Sequence, residues 1–112
     1  MERDYCKIFF DSELDHDTLL CLLCDTFGGT HTHLSNIHFD WGECYFYYND
    51  YYSPAEHHAA PDDFIYWRYY LEFHDEKNDF RSFSEGLVCL SRKLSDMGIK
   101  NVASCDFEEI FG

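Results

Sequence analysis

The chain has 112 residues, of which 46% are apolar and 20% aromatic, too much apolar material for a disordered acidic tail and enough for a real core. Twenty-two acidic residues against eight Lys and Arg leave a formal charge of −14, which opposes nucleic acid and anionic membrane surfaces, since both reward Lys and Arg. The same charge attracts basic partners and speeds their association.

Met1 to Cys6 carries neither a basic segment nor an apolar run of the secretory kind. A cytoplasmic protein is expected, with its six Cys reduced rather than paired. Tyr5 to Asp11 reads as a first strand. Ser12 or Asp15 can cap a helix whose apolar stripe is Leu19, Leu20, Leu23 and Phe27, and Gly28-Gly29 stops it. His31 to Asp40 reads as a second strand, Trp41-Gly42 as a tight connection and Glu43 to Tyr48 as a third strand.

Asn49 to Asp63 reads as a loop. It holds both prolines, several acids and no Lys or Arg. Phe64 to His74 alternates most clearly: Ile65, Trp67, Tyr69, Leu71 and Phe73 share one face, and Tyr66, Arg68, Tyr70, Glu72 and His74 the other. Trp67 is expected between sheet and helices. Asn78 or Asp79 can cap a second helix with the stripe Phe80, Phe83, Leu87, Leu90, Leu94 and Met97, stopped by Gly98. Asn101 to Cys105 is a short last strand, and Asp106 to Gly112 an acidic, aromatic tail.

The expected order is β-α-β-β-β-α-β. It predicts a single α+β domain over residues 1–112: a mostly antiparallel sheet of about five strands with two helices packed on one face, a ferredoxin-like variant. The other face would stay open and carry Tyr45, Tyr47, Tyr66, Arg68 and Tyr70.

No catalytic residue, metal ligand or cofactor is expected. Cys21-Leu-Leu-Cys24 has redox spacing, but both thiols fall inside a helix among leucines, not at a helix N-terminus that would lower their pKa. His31-Thr-His33 offers no matching second ligand pair for zinc. His57-His58 reads as a solvated pair in a polar loop, and Cys105 as a strand-end thiol beside a surface acid. Asp62-Asp63 and Glu108-Glu109 are pairs that so acidic a chain carries without catalysis. Phosphate-binding and nucleophile-elbow patterns are missing from the sequence.

Three stretches look familiar together: Asn49-Asp50-Tyr51, Asp63 to Glu72 (DFIYWRYYLE), and Gly98 to Glu108 (GIKNVASCDFE). With them the chain resembles small acidic bacterial immunity proteins of polymorphic or contact-dependent growth-inhibition toxins. The resemblance implies a cognate toxin, often a nuclease, bound and blocked in the cytosol of the producing cell. The acids and tyrosines suited to that contact are Asp50, Tyr51, Tyr52, Glu56, Asp62 and Asp63 in the loop, with Asp106, Glu108 and Glu109 in the tail as a second patch. Two other readings compete: a small Cys/His metal-binding or enzymatic domain, and a module that dimerises through the open sheet face.

Overall fold

Alternation sets the first strand. In β1 (Tyr5–Phe10), Cys6, Ile8 and Phe10 are buried, while Tyr5 is exposed and Lys7 and Phe9 are half-buried. The computed structural model describes residues 4–33 and 35–111. Asp15 caps α1 (His16–Phe27) by accepting from the Thr18 N–H at 2.9 Å, and Gly28 ends it at φ 75°, a left-handed conformation that glycine adopts without strain. The helix buries Leu19 and Leu23.

The next segment departs from the expected single strand. It forms two, β2 (Thr30–His33) and β3 (Asn36–Phe39), antiparallel to each other. After a turn at Asp40-Trp41 comes β4 (Gly42–Tyr48). The expected loop contains a short helix, α2 (Pro54–Ala59). Ser53 caps it, and Pro54 fits its first turn, where the missing N–H costs nothing. The expected long strand is also shorter: Phe64–Tyr66 is a 3-10 turn, and β5 spans Tyr69–His74. Asp79 caps α3 (Phe80–Asp96), accepting from the Ser82 N–H, and β6 (Asn101–Ser104) precedes a second 3-10 turn at Glu108–Phe111.

Among the described residues the fold is therefore α+β, with three α-helices and a six-stranded sheet in the order β2-β3-β4-β5-β1-β6, not five strands and two helices. Every neighbouring pair is antiparallel. Without the β2-β3 hairpin and α2, the elements run β-α-β-β-α-β with β5 and β1 central.

Both long helices cover the same side. Ile8, Phe10, Ile37, Phe39, Phe46, Leu71 and Phe73 from the sheet join Leu19 and Leu23 of α1 and Phe83, Leu87, Leu90 and Leu94 of α3 in one core. Phe80 and Met97, at the ends of the α3 stripe, are exposed. The tryptophan between sheet and helix is Trp41, not Trp67. It stacks on Phe39 and Phe73 at 5.0 and 5.4 Å and lies against α3 where Gly86 leaves room; a side chain there would overlap its ring. Trp67 is buried elsewhere, its indole N–H donating to the Pro61 carbonyl at 2.9 Å.

None of the described helices is long and apolar enough to cross a membrane. Among the described residues no disulfide forms; Cys6 and Cys44 are buried, and Cys21 and Cys89 exposed.

Leu90→Ala should cost roughly 2–5 kcal/mol in urea unfolding, as buried leucine truncations do. A loss below ~0.5 kcal/mol would mean that this helix face is not the core. The caps predict an acid response. Hydrogen bonds from Thr18 and Ser82 hold the Asp15 and Asp79 carboxyls below their ordinary 3.8. Their contribution is whole above that value and fades as pH falls through the lower folded values. Asp15→Asn with Asp79→Asn keeps both caps but cannot titrate, so its melting temperature should fall less steeply below about pH 4 than that of the wild type.

Candidate functional site

The strand register assembles the face that the helices leave open. Glu43 lies opposite His74, Tyr45 opposite Glu72, and Tyr47 opposite Tyr70 across β4 and β5. The same row continues on β1, where Tyr5 faces His74, Lys7 faces Glu72 and Phe9 faces Tyr70. On β3, His38 faces Glu43 and Asn36 faces Tyr45. Cross-strand neighbours at this spacing touch directly.

The rings form a connected layer. Tyr47 and Tyr70 are 5.2 Å apart, Tyr70 and Phe9 5.6 Å, Tyr45 and Tyr47 6.4 Å, and Tyr45 meets His74 edge-on at 5.7 Å. The Lys7 ammonium sits 5.2 Å over the Tyr70 ring, a cation–π contact. Glu72 pairs with His74 at 2.9 Å, and Glu43 pairs with His38. Burial, and then the nearby Glu72 carboxylate, pushes the Tyr47 and Tyr70 phenols up. A phenol is protonated at neutral pH even at its ordinary value, so both are hydrogen-bond donors there. The face is thus aromatic, studded with carboxylates, and stiffened by its own pairs.

The segment after β4 forms a wall on this face, held by one buried side chain. The Asn49 amide donates to the Ile65 carbonyl at 2.8 Å and the Trp67 carbonyl at 2.7 Å, while its oxygen accepts from the Tyr51 N–H at 3.1 Å. Phe64 then packs on Phe9 at 5.2 Å. A cavity of about 230 Å³ opens between wall and sheet, lined by Lys7, Phe9, Asp50, Tyr51, Ile65 and Tyr70, among others.

The structure thus brings Asp50 and Tyr51 onto the open face. It ties the other loop residues elsewhere. The Tyr52 hydroxyl accepts from Arg68 at 3.0 Å, with the guanidinium 5.0 Å over its ring. Asp62 pairs with Lys100 at 3.0 Å just before β6, Asp63 caps the 3-10 turn through the Ile65 N–H, and Glu56 is exposed on α2. In the tail, Asp106 and Glu109 are exposed, while the Glu108 side chain lies outside the described residues. Phe107 docks the tail on α3, edge-on to Phe80 at 5.0 Å, away from the 230 Å³ cavity.

His57 differs from the solvated pair expected of it. Its Nε2 lies 3.0 Å from both carboxylate oxygens of Asp11, pinning α2 to the end of β1, while His58 is exposed. Of the five residues expected on the open face, Tyr45, Tyr47 and Tyr70 are in the ring layer, whereas Tyr66 belongs to the 3-10 turn and Arg68 clasps Tyr52. Sequence reasoning missed Tyr5, Lys7, Phe9, His38 and Glu43. The alternation of β1 carried a signal for the first three.

Two of the thiols, Cys24 and Cys44, are held in their protonated form. Burial, then Asp25 and Cys21, pushes the Cys24 thiol up, and burial raises Cys44 well above its ordinary value. A raised thiol is a scarce thiolate. Among the described residues, no three His, Cys, Asp or Glu side chains converge on a point where a metal ion could sit.

Asn49→Ala should strand two carbonyls and cost about 1–3 kcal/mol. Amide exchange should then quicken in the wall at residues 64–67 before it does in β5. Unchanged exchange there would show that Asn49 does not hold the wall. Comparison of the chain with protein-family models, with curated proteins and with solved structures returned no match.

Proposed function

We propose that this chain is an immunity protein that binds a basic toxin domain, a nuclease, in the cytoplasm and blocks it. One observation carries the reading. Asp50 and Tyr51 stand beside a layer of tyrosines with Glu43 and Glu72 among them, on a chain of net charge −14. A nuclease site is basic because it must hold phosphates. Carboxylates spaced over an aromatic layer meet such a surface charge for charge, and the rings supply contact area at low entropy cost. Steering by the whole acidic field can raise association toward ~10⁸–10⁹ M⁻¹s⁻¹.

The open face is the main contact in this proposal, with Asp50 and Tyr51 on its wall. Glu56, Asp62 and Asp63 form an outer rim that acts through steering. The tail acids Asp106, Glu108 and Glu109 form a separate patch.

Surface plasmon resonance with the basic domain encoded beside this chain tests the proposal. Glu72→Lys and Asp50→Lys should slow association, flatten its salt dependence and also speed dissociation, because charges within the contact act both before and after docking. Tyr51→Ala and Tyr70→Ala should mainly speed dissociation, by about tenfold or more, as truncated anchors do. Asp106→Lys with Glu109→Lys should change binding far less. If the tail pair weakens binding while the four face variants do not, the contact has been placed wrongly. If the basic domain is not bound at all, the immunity reading falls.

A further inference from the structure

Both edges of the sheet are strands, and they differ. At β2 the register shifts between His31 and His33, an irregularity that disfavours pairing with a further strand. β6 at the other edge pairs with β1 without a break, from Lys7 opposite Ser104 to Phe10 opposite Asn101. It contains no charged residue and no proline, the usual guards of a free edge. Its outer side opens on a groove of about 600 Å³, walled by Ser91 and Ser95 of α3, by Phe64 and by Phe111.

The ladder determines which backbone groups face this groove. The Asp11 N–H donates to the Lys100 carbonyl at 3.0 Å, and the register sets these two residues opposite each other. Hydrogen-bonded and non-bonded pairs then alternate, so Val102 and Ser104 turn their N–H and C=O toward β1. Asn101 and Ala103 turn theirs outward.

We propose that β6 is a self-association edge: β6 of one copy pairs antiparallel with β6 of a second copy about a two-fold axis at Val102. In this register Asn101 of each copy lies opposite Ala103 of the other, and both residues present outward donors and acceptors. Val102 meets its own symmetry mate in the close, non-bonded position, which suits a β-branched pair. The strand ends are also self-complementary. Exposed Lys100 precedes β6 and exposed Asp106 follows it, so antiparallel pairing brings each lysine toward the other copy's aspartate. The lysine's pair with Asp62 is at the surface, with Asp62 almost fully exposed, and holds it only weakly. A partner strand of another protein has no such built-in match of ends.

The salt response separates this edge from the acidic face. Two copies of charge −14 repel at long range, and the edge itself is neutral, so added salt should strengthen self-association. Binding of a basic partner should weaken with salt. The inference does not rest on the immunity reading.

Sedimentation equilibrium of the full chain tests it. The mass should rise from one chain toward two with concentration, further at about 0.5 M salt than at about 0.05 M. Amide exchange should slow with concentration at Asn101 and Ala103, but not at β2. Ala103→Pro removes an outward N–H without breaking the β1 ladder, and should hold the chain monomeric. Lys100→Asp should shift dimerisation to roughly tenfold higher concentration, since it sets like charges together. Adding Asp106→Lys should restore it, whereas adding Asp25→Lys on α1, which restores the same net charge elsewhere, should not. A mass of one chain at every salt and concentration would overturn the proposal. So would an Ala103→Pro variant that dimerises like the wild type, or equal rescue by the two lysines.

Discussion

Two amphipathic helices can shield only one side of a six-stranded sheet, and the rest of this molecule follows from that limit. β1, β3, β4 and β5 each send alternate side chains to the shielded side, where Ile8, Ile37, Phe46 and Leu71 are at most 1% exposed. The intervening residues have to meet water. Tyr, Glu and His suit that position because a ring or aliphatic stem can lie on the sheet while a polar tip stays wet. Core and candidate surface are therefore one pattern seen from two sides. A register slip of one residue would exchange Leu71 for Glu72 and destroy both.

Asn49 extends this order to the stretch between β4 and β5. Carbonyls without a partner in the sheet need donors, and one side-chain amide serves both Ile65 and Trp67. The Trp67 indole closes the same segment on itself at Pro61, and the His57–Asp11 pair ties it to the end of β1. Asp50 and Tyr51 are thereby presented from a braced position. A braced contact loses less entropy on docking than a free loop would, which suits the proposed contact.

Charge is unevenly spread over these surfaces. The open face and its wall carry Glu43, Glu72 and Asp50, with Lys7 set against the Tyr70 ring, while β6 is neutral along its length. Edge pairing lengthens a sheet within its own plane and leaves both faces as they were. The two sites nevertheless adjoin, since Phe64 and Ser104 line both the cavity on the face and the groove at the edge.

Both long helices were legible in the sequence because their signals are local. Asp15 and Asp79 cap residues three positions on, the leucine stripes repeat within each helix, and Gly28 and Gly98 stop the chain where left-handed backbone is needed. The inward alternation of β1, β4 and β5 was legible for the same reason, and so were the tyrosines Tyr45, Tyr47 and Tyr70. The break between β2 and β3 was not, since no glycine or proline marks the turn at Ser35, whose carbonyl is taken by the Phe46 N–H of a strand still to come. Nor was the early end of the long strand: the alternation runs on through Ile65 and Trp67, but Asn49, sixteen and eighteen residues before them, captures their carbonyls and bends the chain. His57 found Asp11 across forty-six residues in the same way. What the sequence determined by itself was an acidic α+β chain and the faces of its elements, because periodicity and caps act within a few residues. The strand order, the wall beside the tyrosines and the open edge at β6 were decided only in the tertiary structure, because each depends on partners that the chain brings together only by folding.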